Sequence, residues 1–400
     1  MRFLKTISRT VTLVLALTSC VPQGGGSESL RASADPAGRP IVIGGTAVPS
    51  PTAVERSAMK VTVAAVGDVL VHGAVYRDAL RYGGGVRYDF DPMFAAVAPM
   101  LRSADVAFAN QESVIGGQSI GLSDYPRFNS PFELGDALRR AGVDVVSMAN
   151  NHALDRGVEA LRTAWNYWRG LGICPAGVAF DDAGDGSCLL EIGGMRIALL
   201  AYTYGTNGIP QPADQPDLVR QIDVGRIRAD VAAAEKRADA VVVSFHFGDE
   251  YQTFPNEQQK AVVREAVAAG ADAVIGHHPH VLQPIERLTG REGESAVVAY
   301  SLGNFLAAQE RNMPERRTGG VLLFDLVRSP SGKVRAENVG FLLTYILHDN
   351  WRQFRIVPLA DALGDASLRD GRAYAERVRR HVSQWFPELR VFDRIPEKQP

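Results

Sequence analysis

The sequence predicts an α/β fold in four layers, an α/β/β/α sandwich, and three observations carry that expectation. Apolar runs alternate with amphipathic stretches from Lys60 to about Ile275, the pattern of buried strands and covering helices. Beyond that point Ala296 to Tyr300, Gly320 to Leu326, Val339 to Leu347 and Phe354 to Val357 all read as β, which asks for a second sheet packed on the first. Finally, four strands share one signature: an Asp, an apolar run, then a polar cluster. Asp105 precedes Val106 to Ala109, Asn110 and Glu112; Asp144 precedes Val145 to Ala149 and Asn150-Asn151-His152; Asp239 precedes Ala240 to Phe245 and His246; Asp272 precedes Ala273 to Gly276 and His277-His278-Pro279-His280. In an open α/β sheet, ligands bind beyond the carboxyl ends of the strands, where these clusters fall.

The elements follow in order. Val61 to Val66 is a buried strand ending at Gly67-Asp68. Phe90 to Ser103 reads as one helix, and Asp105 to Ala109 as the next strand. Ser130-Pro131 signals a helix start, with the helix running to Arg140 and stopping at Gly142. A strand over Asp144 to Met148 precedes a helix over Gly157 to Arg169, with Leu161, Trp165 and Trp168 on one face. Gly193-Gly194 joins Ser187–Ile192 to Met195–Tyr202 as a hairpin. Val224 to Arg237 is a helix, Val241 to Phe245 a strand, and Asn256 caps a helix reaching Ala269. Residues 366 to 385 read as helical and the last dozen as loose.

Composition sets the outer bounds. Four hundred residues with 46% hydrophobic content bury a large core, and a net charge of −2 does not suggest a nucleic-acid partner. Arg2, Lys5 and Arg9 precede the short apolar run Val11 to Leu17, and Leu17-Thr18-Ser19-Cys20 looks like a bacterial lipobox. Residues 1–19 are therefore expected to be a lipoprotein signal peptide, with Cys20 lipidated and the mature chain exported and membrane-anchored. Residues 20–58, rich in Gly, Ser, Pro and Ala, read as the flexible linker, 59–360 as the domain, and 361–400 as a C-terminal helix and tail. Cys174 and Cys188 remain, either paired or as two buried thiols; a bridge over so short a loop would contribute about 3 kcal/mol.

The polar clusters point to metal chemistry. Asp, Glu, Asn and His gathered at strand ends read as a site for two hydrolytic metals, and this mixed donor set suits Mn, Fe, Zn and Co alike. Asp68, Glu112, Asn151, His246, His278 and His280 are the expected ligands; His72 is either a ligand or part of the substrate pocket. His152 is placed to give a proton to a leaving oxygen, with Asp155 either orienting it or capping the helix at Gly157. Glu250 is a candidate orienting partner for His246. Arg127 and Arg156 are candidates for holding an anionic group, and Tyr300 and Asn304, flanking Gly303, for contacting substrate or for making a structural turn.

The set GDVL, NQE, ANNHALDRG, HFGDEY, GHHPHVLQP and YSLGNF, in order over residues 60 to 310, resembles the bacterial capsule-synthesis CapA family, which includes the PgsA subunit of poly-γ-glutamate synthesis. That family is similar in turn to calcineurin-like metallophosphoesterases. The resemblance implies a four-layer sandwich with a dinuclear metal centre and action on phosphoesters. It matches Asp68 to the first metal-binding Asp, Glu112 to a bridging carboxylate, Asn151-His152 to the Asn ligand and general acid, His246 to the isolated ligand, and His278 and His280 to the paired imidazoles. The chain departs from the pattern in lacking Asp-x-His in its first motif, in using Glu112 where Gly-Asp-x-x-Asp is usual, and in having Asn150 in place of Gly. The implied partners are an anionic envelope polymer or its phosphorylated precursor, and membrane subunits of a polymer synthase. The alternatives to a phosphoesterase are a non-catalytic polymer-binding or export subunit and, more weakly, a metal-dependent amide hydrolase.

Overall fold

In the computed structural model, residues 59–180, 184–290 and 293–395 are described, and the expected sandwich is present in them. The lipobox, Cys20 and the linker lie outside the described residues. The first sheet starts with four parallel strands, β1 (Met59–Leu70), β2 (Val106–Gln111), β3 (Val145–Ser147) and β4 (Cys174–Ala176). The second holds β5 (Cys188–Ile192), β6 (Met195–Thr203), β7 (Ala240–His246), β8 (Ala273–His277), β9 (Ile285–Thr289) and β10 (Ser295–Ala299), in the order β5-β6-β7-β8-β10-β9. The chain then returns to the first sheet with β11 (Asn304–Ala307), parallel to β1, and the antiparallel run β12 (Thr318–Arg328), β13 (Val334–Asp349) and β14 (Arg352–Pro358).

Strand parity sorts side chains between the layers. Along β6, Ile197, Leu199 and Ala201 face the first sheet, while Ala198, Leu200 and Tyr202 pack on the outer helices α6 (Val224–Glu235) and α7 (Glu257–Ala269). On the opposite side α4 (Glu133–Ala141) and α5 (Gly157–Gly170) cover the first sheet with Leu134, Leu138, Leu161, Ala164 and Trp168. Helix α7 starts at a full capping box, Asn256 with Gln259.

The recurring Asp has a structural meaning. Each one clamps a single residue of the neighbouring strand by two hydrogen bonds. The Asp105 amide donates to the Thr62 carbonyl (2.9 Å), and its carboxylate accepts from the Thr62 amide (2.8 Å). Asp144 does the same with Ala107, Asp239 with Arg196, and Asp272 with Val241. A carboxylate thus completes the ladder where the strand pairing begins, leaving no strand amide unsatisfied there.

Several elements differ from expectation. The helix expected over Phe90 to Ser103 is two, α2 (Asp91–Phe94) and α3 (Ala98–Ser103), because Pro99 lacks the amide that would continue it. Helix α1 (Gly73–Tyr82) and the short strands β4, β9 and β11 had no periodicity long enough to announce them. Within the last dozen residues, expected to be loose, β15 (Arg390–Phe392) pairs with β13, and before it α8 (Gly371–Ser383) buries Tyr374 and Val382 in the first core; residues 396–400 lie outside the described residues. Cys174 and Cys188 form a disulfide, with Cα atoms 6.0 Å apart, joining edge strand β4 of one sheet to edge strand β5 of the other. No helix among the described residues is long and apolar enough to cross a membrane.

Candidate metal centre

The carboxyl ends of β1, β2, β3, β7 and β8 converge, so that both sheets supply the site. Backbone approach is close enough there to demand glycine. A Cβ on Gly67 would lie 1.9 Å from the Gly303 carbonyl oxygen, and one on Gly276 would lie 2.0 Å from that of Tyr300. A register shift between Val66 and Asp68 interrupts the β1–β2 ladder, which resumes with Asp68 opposite Asn110.

Asp68 is fully buried. Its Oδ1 accepts from Asn110 Nδ2 (2.9 Å) and lies 3.3 Å from His277 Nδ1; its Oδ2 lies 3.2 Å from His280 Nδ1 and 3.3 Å from the His278 amide. Burial pushes its pKa up, but the His277 and His280 contacts outweigh it and hold the carboxyl well below its usual range. Glu112 is the opposite case. It too is fully buried, yet neither oxygen has a hydrogen-bond donor among the described residues. Burial drives its pKa well above the ordinary value, against the pull of His280. Its Oε1 lies 3.5 Å from His246 Nε2 and 3.6 Å from His280 Nε2.

The imidazoles sort by environment. His246 Nε2 faces Asn151 Oδ1 at 2.8 Å and its Nδ1 faces Asn110 Nδ2 at 3.2 Å; burial and then His278 hold its pKa well down, keeping the ring neutral. Burial also pushes His278 down to about 3, leaving a buried, unpartnered Nδ1. For His280 burial is outweighed by Glu112 and Asp68, which push it up to about 10. His278 and His280 sit in left-handed backbone, φ 96° and 58°, where the turn around Pro279 aims both rings inward.

Two ligand groups result. Asp68, Glu112 and His246 form one, and Glu112, His278 and His280 the other, the ligand atoms within each lying within 4.8 Å of one another. The unpartnered Nδ1 of His278 and the donorless buried carboxylate of Glu112 fit a divalent cation, which would answer both together. Glu112 belongs to both groups.

His152 stands beside this centre. Its Nδ1 lies 2.7 Å from Asp155 Oδ2, which also accepts from the Phe128 amide at 2.7 Å, and the Phe128 ring packs edge-on against the imidazole. Of the two roles open to Asp155 the geometry shows the orienting one; the N-cap of α5 is Arg156, with no side-chain cap. Asn150 holds the turn by accepting from the His152 amide and donating to the Gln111 carbonyl.

Other expected residues are placed elsewhere. Tyr300 follows the outward parity of β10 into the second core, its hydroxyl donating to Glu286, so it does not face the centre. Asn304 positions His280, its Oδ1 3.1 Å from Nδ1 and its amide bonded to the His280 and Arg316 carbonyls. Arg156 is committed to a loop, donating to the Ile120 and Gly121 carbonyls and to Ser123 Oγ. Arg127 is exposed next to Phe128. His72 Nδ1 sits between the Leu70 carbonyl and the Ala308 amide, outside both ligand groups. Glu250 is exposed, and His246 is held by Asn110 and Asn151 instead. Sequence reasoning gave no role to Asn110, which bridges Asp68 and His246, nor to Tyr204 and Asn207. The Tyr204 ring lies 4.8 Å from that of His278, and Asn207 reaches Asn151 and His152. The Asn110 position in the shared strand signature was the available signal; Tyr204 and Asn207 had none.

The fold and this cluster define a two-sheet α/β protein with a candidate divalent-metal site. The chain belongs to the family described as bacterial capsule synthesis protein PGA_cap, whose profile matches residues 62–309. It is 29% identical over 277 residues to the PGA biosynthesis protein CapA of Bacillus subtilis (strain 168), covering 67% of this chain and 68% of that one. It is 30% identical over 266 residues to the capsule biosynthesis protein CapA of Bacillus anthracis, covering 64% of this chain and 61% of that one. The chain thus spans about two thirds of the length of these relatives. A 5'-nucleotidase precursor from Thermus thermophilus superposes with a TM-score of 0.41 at 16% identity, covering 80% of this chain and 59% of that one.

Proposed function

We propose that this chain is a metal-dependent phosphoester hydrolase, anchored at the bacterial envelope and working in the synthesis of a capsule or poly-γ-glutamate-type polymer. The observation that carries the reading is the pair of ligand groups sharing Glu112, with the His152–Asp155 pair at their edge. Asp68, Glu112, Asn151, His246, His278 and His280 would hold two divalent ions, which when bound supply positive charge for a phosphoryl group and a water of lowered pKa. Asp155 fixes the tautomer and the direction of His152, whose Nδ1–H it receives, leaving Nε2 to carry the proton delivered to a leaving oxygen. Exposed Tyr204 borders the centre beside His278, and buried Phe128 backs His152.

Elemental analysis is the first test. Near two transition metals per chain, lost in a His246→Ala, His280→Ala double variant, supports the reading; no metal after reconstitution ends it. A second reading, a non-catalytic polymer-binding or assembly subunit, is favoured by the relatives' names, which speak of biosynthesis. A metal-loaded protein that turns over no phosphomono- or diester in a broad panel decides for it. Anchoring through Cys20 is supported by the lipobox and by a disulfide suited to an oxidising compartment. Retention of a Cys20→Ala variant in the membrane fraction would refute it.

A further inference from the structure

Beside the metal centre lies an open groove of about 670 Å³. Four arginines line it, Arg77 and Arg81 from α1, Arg316 from the segment before β12, and Arg352 at the start of β14, against two carboxylates, Asp124 and Glu310. Their commitments differ. Arg81 is paired with the buried Asp78 at 3.2 Å, and Arg77 lies beside Asp124. Arg316 and Arg352 make no ion pair among the described residues; the Arg316 guanidinium is instead stacked 3.4 Å above the Tyr251 ring. That stacking holds a planar donor open for an anion.

The groove and the metal centre share walls. The Tyr251 amide donates to the Pro279 carbonyl at 2.8 Å, and its ring lies 6.2 Å from that of His280. His72 lines the groove and, on its other face, meets Phe128, the ring that packs on His152. Exposed aromatic surface borders the arginines: Tyr125 is 76% and Trp351 40% exposed, the latter braced by stacking on His348. Cations supplied by three separate segments around one open groove suit a chain with charges at intervals more than a compact ligand. Aromatic walls suit methylene groups between those charges.

We infer that this groove holds an extended polycarboxylate chain of the polyglutamate type and leads it past the metal centre. The inference rests on the reading that the chain works on an envelope polymer; it needs no hydrolysis.

The test is fluorescence polarisation with labelled poly-γ-glutamate and the full chain, with and without EDTA, using γ-glutamyl dipeptide and inorganic polyphosphate as competitors. Expected are binding that dipeptide does not compete away, weakening with salt, and an affinity about tenfold lower in an Arg316→Ala, Arg352→Ala double variant. Should that variant unfold, Arg352→Ala alone, at an exposed position, should still weaken binding about threefold. Wild-type affinity in a folded variant, competition by dipeptide at equal concentration, or polyphosphate displacing polyglutamate more readily than polyglutamate itself would each overturn the inference. Metal content and phosphoester turnover, measured on the same samples, report separately on the proposed hydrolase.

Discussion

Glu112→Gln should reverse the order of stability of wild type and variant according to whether metal is present. The wild-type carboxylate is fully buried, donorless and shared by both ligand groups. Without metal it is a liability whose sign is fixed by its raised pKa: the folded state holds its proton where the unfolded state, near 4.5, has released it, so stability falls as pH rises from about 4.5 through the higher folded value. The amide has no such loss, so in EDTA at pH 8 the variant should melt at or above wild type. With metal the order inverts. An ion at a hundred times its dissociation constant adds about 2.7 kcal/mol per site, and two sites about 5 kcal/mol. At about 2 °C per kcal/mol for a domain of this size, the wild type should gain about 10 °C and the variant little. Differential scanning fluorimetry in EDTA and in Mn²⁺ or Zn²⁺ reads both. A variant clearly less stable than wild type in EDTA would refute the reasoning, because Glu112 would then be satisfied by the protein itself.

Other outcomes follow from the same geometry. His152→Ala should lower phosphoester kcat by about 10²–10⁴ while leaving metal content unchanged; loss of metal would make His152 a ligand instead. Asp155→Asn should lower kcat more than KM is changed, since Asp155 touches His152 and the Phe128 amide and not the ligand cluster; an unaltered kcat–pH profile would count against it. Breaking the Cys174–Cys188 bridge by double Ala substitution should cost about 3 kcal/mol in denaturant unfolding, and an unchanged midpoint would place no constraint there. Asp105→Ala should cost about 1 kcal/mol by leaving the Thr62 amide without its acceptor, with metal content intact.

The layered fold was legible because a strand buried on both faces is apolar throughout: β6 alternates between two cores, and Ile197 to Tyr202 is an unbroken apolar run. The four Asp positions were equally visible, but not their purpose, since a carboxylate before a strand could serve a turn, a metal or, as here, an amide of the neighbouring strand that precedes it in the chain. At the centre, residue type announced capacity to bind but not direction. Tyr300 and Arg156 have the chemistry of substrate contacts; parity sends one into the outer core, and three loop acceptors consume the other. Asn110 and Asn207 stayed hidden for the converse reason, because an amide acquires its role only from what the fold brings to it. The short strands β4, β11 and β15 exist through long-range pairing that no local window contains.

Each ligand group takes members from both sheets: Asp68 and Glu112 from one, His246, His278 and His280 from the other. Neither half can select an ion alone. An ion bound there would therefore add its binding free energy to the closure of the two sheets on each other.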